Sequence, residues 1–329
     1  MYTIRRITRD EYRDLVNNVS HTVFTTVEWL AFLEKNQKAS TVVLEMRSHD
    51  TVVAYFVGLV VTKLGIRILG SPFKGWLTPD MGFVKVADFD YVKAIQDVAA
   101  YAFKTLHCLY FQITDKALSC DEIEGKLYYE KTNLLQISLE KPQEEILENF
   151  TKNGRRDVRA ALRKDTEFKV LPFDREFVKV HYSQLEDVFA KQNLKPFYSI
   201  QKLYDLAEAF EGKPENIVAL AAYSEGECVA SIFSVGYGEW AYYMGAASFR
   251  NYQKLLPNEG LFWNFVEYWH GKGAKKLDLV GYREYKLKYN PEIIVIPTVI
   301  ITRYRWLLYA KRFAEKTIML IRKVKGRVK

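Results

Sequence analysis

The first group in this 329-residue chain with an obvious chemical use is a cation just past a short strand. Leu277-Asp278-Leu279-Val280-Gly281 is a brief apolar run after Gly271 and Gly273, and Tyr285-Lys286-Leu287-Lys288-Tyr289 follows it directly. If that segment is extended, alternation turns Lys286 and Lys288 to the same side. An ammonium so placed can meet negative charge as it forms, for instance on an acyl oxygen under attack by an amine. Such a reaction also needs a route for the amine's proton. Asp80 is a carboxylate in a loop of the kind that positions function on a rigid scaffold. It lies with Trp76 in the loop 71–83, which is punctuated by Pro72, Gly75, Pro79 and Gly82. An Asp after a proline equally suits the capping of a turn.

The elements that must position these groups repeat. Residues 217–223 and 228–235 flank Ser224-Glu225-Gly226-Glu227 as a hairpin, and 240–247 make a third strand. Gly245 inside it marks a bulge or a close backbone approach by ligand. Leu261, Phe262, Phe265, Val266 and Trp269 recur at helical spacing over 260–271, and the strand 277–281 closes the unit. The first half shows the same order, with strands at 41–46, 51–62 and 66–69, a helix at 91–106 and a strand at 109–114. The repetition predicts an α+β chain of two similar domains, 1–140 and 141–329, each a mixed, mostly antiparallel sheet flanked by helices. Helices are also expected at 8–19, from a Thr26 cap onward with Trp29, Phe32 and Leu33 inward, and at 143–150, 182–192 and 200–210. A strand at 134–139 links the halves, and 293–301, broken by Pro297, reads as an edge strand.

Three basic stretches bear on partners. On a helix over 151–164, Lys152, Arg156, Arg159 and Arg163 fall three and four apart, a stripe that suits phosphates or simply faces solvent. The loop 250–260 carries Arg250 and Lys254 and a single glycine, Gly260. The tail 303–329 has ten Lys or Arg against Glu315 alone, with Trp306, Tyr309, Phe313, Leu320 and Val324 at helical spacing. It is a basic amphipathic helix suited to anionic lipid or RNA, or to docking on the second domain.

The run from Asp278-Leu279-Val280-Gly281 through Tyr285-Lys286 to Tyr289-Asn290-Pro291-Glu292 resembles the closing motif of the Fem family, aminoacyltransferases that build peptidoglycan cross-bridges, and of its GNAT relatives in envelope polysaccharide synthesis. The resemblance implies tandem GNAT-like domains acting in the cytoplasm at the inner membrane face. It implies transfer of an aminoacyl or acyl group to an amine of an anionic envelope precursor, lipid-linked or nucleotide-linked. Lys286 would face the developing oxyanion and Asp80 the acceptor. Acceptor contacts fall on Trp76, Tyr198, Lys202, Tyr204, Arg156, Arg159, Tyr285 and Lys288, and donor contacts on Gly245, Arg250, Lys254 and Gly260. The family's diphosphate-binding neighbourhood holds an arginine, whereas residues 198–204 hold none. The loop 250–260 lacks the glycine spacing of acyl-CoA enzymes, and no counterpart of the long helical arm of some tRNA-dependent relatives is present. Aminoacyl-tRNA and acyl-CoA therefore both stay open as donors. Two alternatives accompany this reading: acyl-CoA-dependent N-acetylation of an amino sugar, and a non-catalytic relative that holds tRNA or membrane.

Composition fits an anionic partner and a packed core. There are 48 Lys and Arg against 40 Asp and Glu, a net charge of +8, with 49% hydrophobic and 15% aromatic residues. Cys108, Cys120 and Cys228 show no metal spacing, so neither a metal nor a tightly bound cofactor is expected, and a reduced compartment fits. The apolar run 52–61 is too short to span a bilayer. No nucleophile elbow or phosphate-loop motif occurs, which argues against a hydrolase or a nucleotide-driven enzyme.

Overall fold

The computed structural model describes residues 1–17, 19–63, 65–73, 75–190, 193–309 and 311–313. The chain runs β1 (Thr3–Ile7), α1 (Arg9–Val16), α2 (Val27–Gln37), β2 (Ser40–Ser48), β3 (Thr51–Lys63), β4 (Ile66–Ser71), β5 (Gly82–Lys85), α3 (Tyr91–Lys104), β6 (Tyr110–Thr114), α4 (Cys120–Ile123) and β7 (Tyr129–Ser138). After α5 (Gln143–Asn149) and α6 (Lys152–Ala161) come β8 (Glu167–Leu171), α7 (Arg175–Ala190), α8 (Ile200–Ala209), β9 (Ile217–Ser224), β10 (Glu227–Tyr237), β11 (Trp240–Ser248), α9 (Pro257–Gly271), β12 (Lys276–Asp278) and β13 (Glu292–Thr302). The order strand, two helices, three strands, helix, two strands occurs twice, with β5 an addition to the first half.

One sheet holds both copies, in the order β1-β2-β3-β4-β6-β13-β7-β12-β11-β10-β9-β8, with β5 beside β3. Each copy lends its last strand to the other: β13 pairs with β6, β7 pairs with β12, and β13 pairs with β7 at the centre. Residues 293–301 therefore form an interior strand rather than the expected edge. Pro297 is tolerated because pairing with β6 begins only at Thr298, one residue further on. Two pairings are parallel, β4 with β6 and β11 with β12, and the remaining ladders are antiparallel.

Apolar faces decide the layers. β3 is buried from Val53 to Val61 because helices cover both sides of it. On one face α1, α2, α7 and α8 share a core drawn from both halves, including Trp29, Phe32, Phe177 and Leu206. Trp29 meets Phe210 edge-on at 6.1 Å, and Phe24 meets Tyr242 at 4.4 Å. The Thr26 side chain caps α2 as expected, accepting from Trp29 N at 3.3 Å. On the other face α3 covers the first half and α9 the second.

Candidate active site

The cleft arises where two parallel strands part. β11 pairs with β12 only at Trp240, Ala241 and Tyr242, opposite Lys276, Leu277 and Asp278. β11 then runs on to Ser248 while the chain past Asp278 turns away, with Val280 at φ +47° and Gly281 at φ +77°. The short β12 thus replaces the longer strand expected over 277–281. Across from it, the ladder with β10 slips between Phe233 and Ser234, a bulge that leaves Met244 unpaired beside Gly245. A cavity of about 380 Å³ fills the gap, with Tyr198, Tyr243, Gly245, Gly281, Tyr285 and Lys286 in its wall. The corresponding parting of β4 and β6 in the first half is closed. Gln112 Nε2 donates to Pro72 O at 3.0 Å, Thr114 and Thr298 bond through their hydroxyls at 2.9 Å, and only about 70 Å³ remains.

Lys286 forms the inner wall of the cleft. Residues Glu284–Tyr289 form a 3₁₀ helix rather than an extended segment, so the expected alternation fails and the two lysines diverge. Lys288 reaches Glu259 Oε1 of α9 at 2.5 Å. Lys286 is 5% exposed, and its Nζ donates to the carbonyls of Leu279 (2.5 Å), Val280 (2.9 Å) and Gly281 (3.3 Å). It also lies 5.2 Å from the Tyr243 ring centre. Burial lowers its pKa to about 8 against the opposing pull of Asp278, so the group remains cationic at neutral pH.

Behind the cleft lies a buried charge cluster joining the halves. Asp80, 2% exposed, does not line the cavity. Lys116 Nζ sits 3.2 Å from its Oδ1 in an ion pair without hydrogen-bond alignment. Lys116 donates to Tyr242 Oη at 2.7 Å and stands 3.5 Å over the Trp240 ring centre. Burial raises the Asp80 pKa while Lys116 opposes it. Asp278 is fully buried, and its Oδ1 accepts from Val280 N at 2.8 Å while its Oδ2 has no hydrogen-bond partner. Burial pushes its pKa up to about 6, Lys116 opposes and Asp80 adds to the rise. Asp115 accepts from Phe83 N (2.8 Å) and Ala117 N (2.9 Å), and burial raises it to about 7. Gly82, at φ +117°, is needed here: a Cβ would stand 2.3 Å from Asp115 Oδ2.

The other candidates disperse. Trp76 is buried edge-on against Phe73. Lys202, its pKa lowered by burial, donates to Gly75 O at 3.0 Å and ties α8 to the loop. Tyr204 stacks with Arg175 at a separate groove of about 610 Å³. Arg156 pairs with Asp157, Arg159 with Glu148 and Arg250 with Asp187, while Lys254 is exposed. Arg163 lies beyond the end of α6, so it does not extend the stripe. Gly260 serves packing, since a Cβ there would meet Phe168 Cζ at 2.3 Å. In the tail, 305–309 and 311–313 are helical; Glu315, Leu320 and Val324, and positions 191 and 192 of the helix expected over 182–192, lie outside the described residues.

Sequence reasoning missed Lys116, Asp115, Tyr242 and the part played by Asp278. One signal was present: in each half the strand after the long helix is followed or ended by an aspartate, Asp115 and Asp278. Each accepts from the backbone N–H two residues on.

A doubled sheet with an open parting of parallel strands, bulged opposite, is the fold of a tandem GNAT protein. Residues 150–287, from just past α5 to the 3₁₀ turn bearing Lys286, match the family model described as an acetyltransferase (GNAT) domain. Over the whole chain the fold is similar to that of FemX, with TM-score 0.71, 14% identity and coverage of 90% of this chain and 96% of that one. It is also similar to a tandem GNAT protein from the clavulanic acid biosynthesis pathway (TM-score 0.51, 9% identity, 92% and 98% covered). The C-terminal domain of a putative lysylphosphatidylglycerol synthetase from Agrobacterium fabrum resembles it as well (TM-score 0.51, 13% identity, 89% and 92% covered). No curated protein matches the sequence. Among the described residues no helix is long and apolar enough to cross a membrane.

Proposed function

We propose that the cleft joins an aminoacyl group from aminoacyl-tRNA to an amine of an anionic cell-envelope precursor. The observation that carries this reading is the Lys286 ammonium, held at the cavity wall by three neutral carbonyls. As the amine attacks the ester carbonyl carbon, negative charge gathers on the oxygen, and the Gly281 bond, the longest of the three, is the one most readily exchanged for it. The amide bond forms, the ester C–O bond breaks, and the proton lost by the amine ends on the departing ribose hydroxyl. Arg283, exposed at the cavity mouth, supplies for an anionic acceptor the arginine that residues 198–204 lack.

The entry to α9 favours this donor over a coenzyme. Residues Arg250–Leu255 form a 3₁₀ helix, and Phe168 covers Gly260 in the first turns of α9, where a pyrophosphate would otherwise meet amide groups. Acyl-CoA is the second reading, favoured by the match to an acetyltransferase domain. Incubation with labelled aminoacyl-tRNAs plus a muramyl-peptide precursor, and separately with acetyl-CoA plus an amino sugar, tests the choice. Consumption of aminoacyl-tRNA supports the proposal, and acetyl transfer without it overturns it.

A further inference from the structure

We propose that Asp278 is the positioning residue for Lys286: its Oδ1 holds the left-handed turn at Val280 whose carbonyl, with those of Leu279 and Gly281, fixes the ammonium at the cleft wall. The inference rests on the reading that Lys286 meets the charge developing in acyl transfer.

The geometry is continuous from strand to ammonium. Asp278 ends the short ladder with β11 and is also paired with Gln136 of β7, so its backbone is held on both sides. Its Oδ1 accepts from Val280 N at 2.8 Å, and Val280 sits at φ +47°. That conformation is uncommon for a β-branched residue and persists only where the surroundings impose it. The same Val280 presents its carbonyl to Lys286 Nζ at 2.9 Å. Relaxing the turn would move two or three of the carbonyls that hold the cation.

The second oxygen gives Asp278 a further effect. Oδ2 is buried without a hydrogen-bond partner, so the carboxylate's charge is felt chiefly by its ionisable neighbours. These are Lys116 beyond β6, Asp80 in the loop after β4, Tyr242 on β11 and Lys286 on the 3₁₀ turn. The first half contains the same side-chain bond without the left-handed residue or the cradle. Asp115 Oδ1 accepts from Ala117 N at 2.9 Å, and the intervening residue, Lys116, points into the cluster.

Two substitutions separate turn from charge. Asp278→Ala removes both, whereas Asp278→Asn keeps the Oδ1 acceptor and removes the charge. The expected result for Asp278→Ala is a kcat at least about tenfold lower with KM within about twofold, in the tRNA-dependent assay above. For Asp278→Asn, the Lys286 ammonium should titrate at least about half a pH unit lower, read by NMR of ¹³C-labelled lysine in the unliganded protein. Wild-type kcat in folded Asp278→Ala, or an unmoved Lys286 titration in Asp278→Asn, overturns the inference. Lys286→Met is the control. If that variant keeps full activity, the reading of Lys286 itself fails; if it is inactive while Asp278→Ala is normal, only the role of Asp278 fails.

Discussion

Lys116 Nζ lies 3.2 Å from Asp80 Oδ1 and donates to Tyr242 Oη at 2.7 Å, so one buried ammonium fastens the loop after β4 to a strand of the other half. Its side chain is only 12% exposed. Removing it by Lys116→Met leaves Asp80 buried without its counter-charge, which should cost about 3 kcal/mol of unfolding free energy. Replacing both partners, as Lys116→Met with Asp80→Asn, should recover most of that loss. Urea denaturation measures both, and a single variant as stable as the parent contradicts the role given to the pair.

Stability should respond to pH through the same region. Asp115 and Asp278 have folded pKa values of about 7 and about 6, above the ordinary 3.8. Between their unfolded and folded pKa values the folded chain binds more protons than the unfolded one. The stability they contribute is full below the unfolded value and lost as pH rises through about 6 to 7. Asp278→Asn removes one of these groups, so its unfolding free energy should fall less steeply than wild type from about pH 4 to about pH 6. Identical slopes for the two proteins would count against the burial assigned to Asp278.

Gly245 borders the cleft where β11 has parted from β12. A Cβ there would stand 3.2 Å from Phe233 Cε1 and 3.6 Å from Tyr198 Oη, and the further methyls of a valine would crowd both rings and the cavity. Gly245→Val should lower kcat/KM about tenfold, the scale of about 1–3 kcal/mol for overpacking, while the protein still folds. Steady-state kinetics with a melting curve checks this, and unchanged kcat/KM would move substrate away from Gly245.

The tail offers a test of membrane contact. Lys311 pairs with Glu130, and Arg312 Nε donates to Tyr128 Oη, while Trp306 and Tyr309 are about 60% exposed. With ten Lys or Arg over 303–329, the tail should bind vesicles rich in anionic lipid. Trp306→Ala with Tyr309→Ala should weaken cosedimentation at least about threefold. Equal binding to neutral vesicles, or none to anionic ones, contradicts this.

The duplicated fold was legible because its signals are local. Hairpin turns such as Ser224-Glu225-Gly226-Glu227 and the apolar spacing of 260–271 need no distant partner to be recognised. Two features were not legible because they depend on tertiary pairing. The burial of β13 comes from the exchange of terminal strands, which no periodicity encodes, and a proline in the run points to an edge. Lys286 was singled out by type, yet its direction was not legible, because the chain past the left-handed Val280 forms a 3₁₀ turn and not an extended segment. Asp80 was read as facing substrate, whereas its partner Lys116 lies 36 positions away and is brought to it by the parallel pairing of β4 and β6.

The most direct test of the central claim is single-turnover transfer by Lys286→Met, with labelled aminoacyl-tRNA and a muramyl-peptide precursor as substrates and a melting curve to establish folding. A folded variant should lose at least about tenfold in rate, as when one charge-stabilising donor is removed from such a site. A folded variant that transfers at the wild-type rate would contradict the account.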